Sequence, residues 1–272
     1  MKPAHVDCLE PDENIITSEG REVSHLRLHV LDNSNLMSSW AKYFREHYCL
    51  DEELDALRDG TGLSREEYLL QLVFPDRSDP PGPSIRAGDF AEILVSDYLE
   101  YVRGFWVPRQ KYAEKAVRNE SVKGVDILGF HLVEPDPTNG NPQDVLIAFE
   151  VKAKLSGREY DDTLQDAIDH SKKDYYRRAL TLNATKRRLR VLGKIPESLV
   201  VQRFQNPSDH PYSYQSGAAA VLNESVFDIE GIAQSTNTSG HPNEEKLELL
   251  VIRGNELMSL VHALYARAAD EA

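Results

Sequence analysis

Residues 144–155 read DVLIAFEVKAKL, an apolar segment in which Glu150 and Lys152 stand two positions apart. Val, Ile, Leu and Phe favour strands, so the segment is predicted to be one. Side chains two apart on a strand lie on the same face, so the carboxylate and the ammonium group face the same way. Burial of either charge alone costs free energy, and each therefore needs a partner or a metal ion.

A second apolar segment, residues 122–133, precedes this strand and carries Asp126. The polar loop 134–143, with a turn predicted at 139–140, separates the two segments, and the simplest arrangement is an antiparallel pair. Asp126 can then meet Glu150 across the ladder. Two carboxylates beside Lys152 suit Mg²⁺ or Mn²⁺ and metal-assisted phosphodiester hydrolysis. The alternative is a structural ion-pair network of the same three side chains.

Two further polar residues lie on the helices predicted around these strands. The helix predicted from about 84 to 101 carries Glu92, whose neighbours four positions away, Gly88 and Ser96, are both small. Small neighbours leave a groove over Glu92, which is a candidate ligand for a metal ion or a water molecule. Gln165, on the helix after the second strand, is a weaker candidate for holding Lys152 or a phosphate.

The charge of the chain is unevenly distributed. The 272 residues sum to −14, yet residues 172–194 contain nine cations and only one acid, a local charge of +8 that leaves −22 elsewhere. A compact basic stripe on an acidic body can contact phosphate locally, although the acidic remainder predicts weak binding of free DNA. The alternative is a solvated helix face. The predicted DNA contacts are Lys154, Lys172, Lys173, Arg177, Lys186, Arg187, Arg188 and Arg190.

Four prolines in residues 75–83 predict the main boundary of the chain. We expect a mixed, mostly helical N-terminal extension at 1–80, which could dock a partner, and a second domain at 84–272. The order of predicted elements in the second domain indicates an α/β (α+β) fold with a central sheet flanked by helices.

Elements after the second apolar strand are predicted from periodicity. A helix starts near 161 and is predicted to break near Asn183. Strands are expected at 197–204, 217–227 and 247–252, and Asn255 is expected to cap a closing amphipathic helix.

Composition favours a cytoplasmic setting with reduced thiols. Cys8 and Cys49 are the only cysteines, too few for a disulfide framework. The N-terminus has no apolar signal segment. No apolar run approaches the ~18 residues of a transmembrane helix, so no membrane role is expected.

The order of Glu92 on a helix, Asp126 on a strand and Glu150-Val151-Lys152 on the next resembles the PD-(D/E)xK nuclease superfamily, with Val125 in place of the usual proline. The segments at 123–129 and 149–152, the chain length and the N-terminal extension resemble more closely the HamA family of the bacterial Hachiman anti-phage system.

The resemblance implies a restriction-endonuclease-like core, a four-stranded mixed sheet flanked by helices. It implies catalytic roles for Asp126, Glu150, Lys152 and Glu92. The metal ion, Mg²⁺ or Mn²⁺, would be held by Asp126, Glu150, Val151 and Glu92.

The resemblance also implies a function and a partner. It implies a DNA endonuclease with little sequence specificity, held in check by a superfamily 2 helicase, HamB, until abnormal DNA appears. Two alternatives stay open: a non-catalytic regulatory or DNA-binding subunit of a helicase complex, and a restriction or repair nuclease.

Overall fold

The computed structural model describes residues 2–31, 33–109, 111–113, 115, 117–120, 124–134, 136 and 140–272. In this part of the chain, seven strands form a mixed sheet with helices against it, which confirms the predicted fold class. The strands are β1 Leu9–Pro11, β2 Ile15–Ile16, β3 Glu22–Leu28, β4 Ile127–His131, β5 Val145–Lys154, β6 Ser213–Asn223 and β7 Leu247–Gly254.

The strand order is β1-β3-β7-β6-β5-β4, and β2 pairs with β3. Strands β3, β7, β6 and β5 run parallel to their neighbours in that order, whereas β4 is antiparallel to β5. Strands β4 to β7 therefore form a four-stranded mixed sheet of the kind that the resemblance implies. The antiparallel pairing of β4 with β5, predicted from the polar loop, is confirmed.

The helices are α1 Ser34–Glu46, α2 Asp51–Arg58, α3 Arg65–Tyr68, α4 Gly82–Asp97, α5 Thr163–Val191, α6 Ile195–Arg203, α7 Ile229–Ser235 and α8 Leu257–Asp270. Helices α3 and α4 continue as single π-helical turns at Leu69–Val73 and Tyr98–Val102. None of the helices in the described ranges is long and apolar enough to cross a membrane.

The bounds of β4 and β6 differ from the predictions. β4 is shorter than the predicted 122–133, and Val122 and Lys123 lie outside the described residues, as does Asn139 of the predicted turn. β6 begins four residues before the predicted 217 and ends at Asn223, where a short 3₁₀ turn begins. β7 contains the predicted strand 247–252.

Three predictions about the second half of the chain are wrong. Helix α5 runs unbroken past Asn183. The Asn183 side chain is exposed, so it does not interrupt the helix face on which Leu182 and Leu189 are buried. Residues 197–203 belong to helix α6, and Phe204 caps its C-terminus, since a short apolar run fits a buried helix as well as a strand. Asn255 does not cap α8, which begins at Leu257 after Glu256 in the left-handed region.

The first 80 residues pack into the same core as the rest of the chain. β3 pairs with β7, and α1 lies against α8. Arg45 on α1 donates a hydrogen bond to the Ala268 carbonyl of α8 at 2.7 Å. Trp40 and Phe44 belong to one hydrophobic cluster with Leu264. The prolines at 75–83 therefore mark a turn within one packed unit, and docking by residues 1–80 stays a prediction.

Candidate active site

The pairing of β4 with β5 positions the two predicted carboxylates. Ile127 lies opposite Phe149, so Asp126, one residue before β4, falls opposite Glu150. Asp126 Oδ2 accepts a hydrogen bond from the Val151 amide at 2.9 Å. Both carboxylates line one cleft between α4, β5 and α5, of about 530 Å³. The prediction that Asp126 and Glu150 share a site therefore agrees with their placement.

Glu92 reaches the same cleft from α4, which packs against β5. Lys111 Nζ lies 2.6 Å from Glu92 Oε2 and 3.1 Å from Asp126 Oδ1. The Tyr112 hydroxyl donates a second hydrogen bond to Glu92 Oε2 at 2.9 Å. Gly88 lines the cleft beside Glu92, where its lack of a side chain leaves the groove open.

Burial, followed by the nearby charge of Asp126, raises the pKa of Glu92 to about 8. Burial lowers the pKa of Lys111, but the nearby charges of Glu92 and Asp126 outweigh this effect and hold that pKa above its ordinary value. Lys111 is therefore charged at neutral pH, whereas Glu92, even beside this cation, ionises fully only above neutral pH.

Glu150 is buried and has cations around it. Lys152 Nζ donates to Glu150 Oε1 at 2.6 Å, as the spacing of the two residues predicts. Lys173 Nζ on α5 lies 3.3 Å from Glu150 Oε2, and His170 Nδ1 lies 3.5 Å from Oε1. Oε2 is buried and accepts no hydrogen bond from the described residues, so its only partner among them is the Lys173 ion pair, and a closer cation could bind there.

Only part of the basic stripe faces the cleft. Lys173 and Arg177 line it, and Arg177 also lines an adjoining cavity of about 300 Å³ together with Arg188 and Lys111. Lys173, Arg177 and Arg188 are spaced so that they lie on one face of α5, which faces both cavities.

The other predicted contacts lie elsewhere among the described residues. Lys172 pairs with Asp169 at 2.8 Å, and Lys154 pairs with Asp161 at 2.5 Å. Lys186 donates to Gln205, while Arg187 and Arg190 are exposed on other faces of α5. Gln165 accepts a hydrogen bond from the Asn237 amide at 2.8 Å and does not line either cavity.

Sequence reasoning missed four residues near the site: Lys111, Tyr112, His170 and Asp174. Burial and the charge of Glu150 raise the pKa of Asp174 to about 7, and its Oδ2 has no hydrogen-bond partner in the described part of the chain. The signal for Asp174 was its position as the one acid in the basic stripe. Lys111 has no periodic pattern around it, and nothing in the sequence pointed to it.

The donor set suits a hard divalent cation, because carboxylate oxygens are what Mg²⁺ and Mn²⁺ prefer. The unsatisfied Oε2 of Glu150 supports this fit. However, the described residues contain no group of three His, Cys, Asp or Glu side chains already placed to hold a metal ion. Lysine ammonium groups contact the carboxylates instead.

A comparison with protein families finds that the family model HamA matches residues 3–268. The chain belongs to the HamA family. The match spans the sheet, α5 and the N-terminal elements together, so the whole packed unit is the HamA unit. Membership associates the chain with Hachiman anti-phage defence. A comparison with curated proteins finds no match.

Proposed function

We propose that this HamA-family chain is a metal-dependent deoxyribonuclease that acts with a partner helicase. One observation carries the proposal: Glu92, Asp126, Glu150 and Lys152 line a single open cleft. Cleavage with little sequence preference agrees with a groove that presents charges to a phosphate backbone, because such contacts carry no sequence information.

Each side chain has a role that follows from its chemistry. Asp126 and Glu150 would hold Mg²⁺ or Mn²⁺, with Val151 and Glu92 as further ligands. When bound, the ion polarises the scissile phosphate and lowers the pKa of a water molecule. Lys152, whose side chain is 28 % exposed, can donate from Nζ to the attacking water or to a phosphate oxygen.

The cations on the cleft side of α5 would hold the DNA backbone. Lys173, Arg177 and Arg188 line the two cavities in a row beside the carboxylates. A phosphate seated there would bring the next phosphodiester toward Glu150. The acidic remainder of the chain opposes this binding, which agrees with delivery of DNA by a helicase.

Arg177→Gln is expected to weaken DNA binding and to lower the slope of log K against log salt by about one. Arg190→Gln removes the same charge from α5 away from both cavities, and a smaller effect is expected. Fluorescence anisotropy of a labelled duplex at several salt concentrations measures both slopes. Equal slopes for the two variants would show that cations lining the cavities bind DNA no more than other cations of α5 do.

Metal dependence tests the function itself. With Mn²⁺, the full chain is expected to degrade plasmid DNA, to stop with a chelator, and to melt at a higher temperature. Asp126→Ala should lose both the degradation and the rise in melting temperature, because it removes a ligand that binds the ion only in the folded state.

A non-catalytic subunit is the second candidate, and one observation favours it: the site carboxylates already have lysine partners. On that hypothesis, Asp126→Ala destabilises the fold and Mn²⁺ has no effect on the wild-type melting temperature. No cleavage with any metal would favour the second candidate over the nuclease, whereas cleavage that persists in the chelator would contradict the metal dependence.

A further inference from the structure

Lys111 lies where a cation is needed for the proposed chemistry. Its ammonium group is 2.6 Å from Glu92 Oε2 and 3.1 Å from Asp126 Oδ1. The other oxygen of Asp126 accepts the Val151 amide, so Lys111 contacts the oxygen of Asp126 that is not used by the backbone. The Lys111 side chain is 14 % exposed, which keeps this bridge largely out of water.

We propose that the Lys111 side chain competes with the divalent ion for the carboxylates of Glu92 and Asp126. Its ammonium group occupies the gap between Glu92 and Asp126 and must leave before a metal ion can use those oxygens. The inference rests on the proposed function, since it concerns loading of the same site.

Charge balance supports the competition. Three carboxylates, Glu92, Asp126 and Glu150, face three lysine ammonium groups from Lys111, Lys152 and Lys173. A divalent ion that entered without displacing Lys111 would add two positive charges beside an ammonium group in a partly buried site, where like charges repel strongly. Lys111 is the lysine that bridges two of these carboxylates.

The backbone holds Lys111 near the site while its side chain has space to leave. Lys115, four residues later, forms a buried ion pair with Asp89 on α4, one turn before Glu92. Tyr112 is hydrogen bonded to Glu92. The segment is therefore anchored to α4 at two points. Lys111 also borders the 300 Å³ cavity that Arg177 and Arg188 line, where its ammonium group can swing to meet a phosphate.

The decisive measurement is the Mn²⁺ affinity of the full chain, read from the paramagnetic resonance signal of free Mn²⁺. Lys111→Met removes the charge and keeps a similar volume. It is expected to bind Mn²⁺ at least about tenfold more tightly than the wild type, because one nearby positive charge no longer repels the ion. Lys111→Gln, which keeps a donor for Glu92, is measured in parallel so that the result does not depend on the folding of one variant.

Two further variants separate the outcomes. Lys42→Met removes a lysine of α1 that pairs with Asp51 of α2 at 2.6 Å and does not line the cleft, and it should leave the Mn²⁺ affinity unchanged. Adding Asp126→Asn to Lys111→Met should abolish the gain. Unchanged or weaker Mn²⁺ binding by both Lys111 variants, with a wild type that binds, overturns the inference alone. Absence of Mn²⁺ binding in the wild type and both variants overturns the inference and the proposed function together.

Discussion

Glu150→Gln is expected to reduce metal-dependent DNA cleavage by roughly 10³-fold or more, while the chain stays folded. Glu150 is the carboxylate at the centre of the cleft, within reach of Lys152 and Lys173. The amide keeps the shape of the side chain and removes the negative charge on which both the metal ion and the lysines depend. Loss of activity should therefore greatly exceed any loss of stability.

Lys152→Met should show a comparable loss of cleavage with less effect on Mn²⁺ binding, because Lys152 is proposed to act on the water and phosphate. The matched control is Lys42→Met, which breaks a lysine–carboxylate ion pair of the same 2.6 Å length outside the cleft. Plasmid cleavage rates, with circular dichroism to verify folding, make the comparison. Full activity in Glu150→Gln would contradict the assignment of the site.

Asp97→Ala is expected to lower the free energy of unfolding by about 3–5 kcal/mol, as removal of one partner from a buried ionic network does. Asp97 is fully buried at the end of α4. Its oxygens accept hydrogen bonds from His5 at 2.8 Å and from Tyr43 at 2.5 Å, and Arg109 lies 2.7 Å away. The substitution leaves these groups buried without the charge that holds them.

Urea denaturation of the full chain measures this loss. Asp55→Ala is a suitable control, since Asp55 pairs with two arginines at an exposed position and its loss should lower the free energy of unfolding far less than the loss of Asp97. A similar small change for Asp97→Ala would show that the N-terminal elements do not depend on α4. The expected large change would show that residues 1–80 are part of the stable unit.

Alternation and loop composition were enough to predict how β4 and β5 place the carboxylates. Two apolar segments joined by a polar loop predict the antiparallel pairing, and the register of the structure then places Asp126 opposite Glu150. Glu92 also followed, because small residues one turn away on either side mark a helix face that another element can approach. Local patterns of this kind predict which way side chains face when one face of the element is buried.

Lys111 could not be predicted in the same way. It lies in an irregular segment, where no periodicity links sequence position to direction in space, and its partners come from α4 and from the residue before β4. The wrong strand at 197–204 has another cause. Ser198 and Val201 are buried three positions apart, which is a helical spacing, whereas the apolar run 199–201 by itself fits a strand as well as a helix.

The position of β7 has a consequence for synthesis of the chain on the ribosome. β7 lies between β3 and β6, and Ser24 pairs with Leu250 almost the whole chain later. The N-terminal strands and the strands that carry the cleft therefore cannot join in one sheet until residues 247–254 have been made. Parallel pairing over such a separation is slow, so each newly made chain is expected to pass through a period with exposed sheet edges. A chain that terminates before residue 247 would lack the strand that joins the two halves.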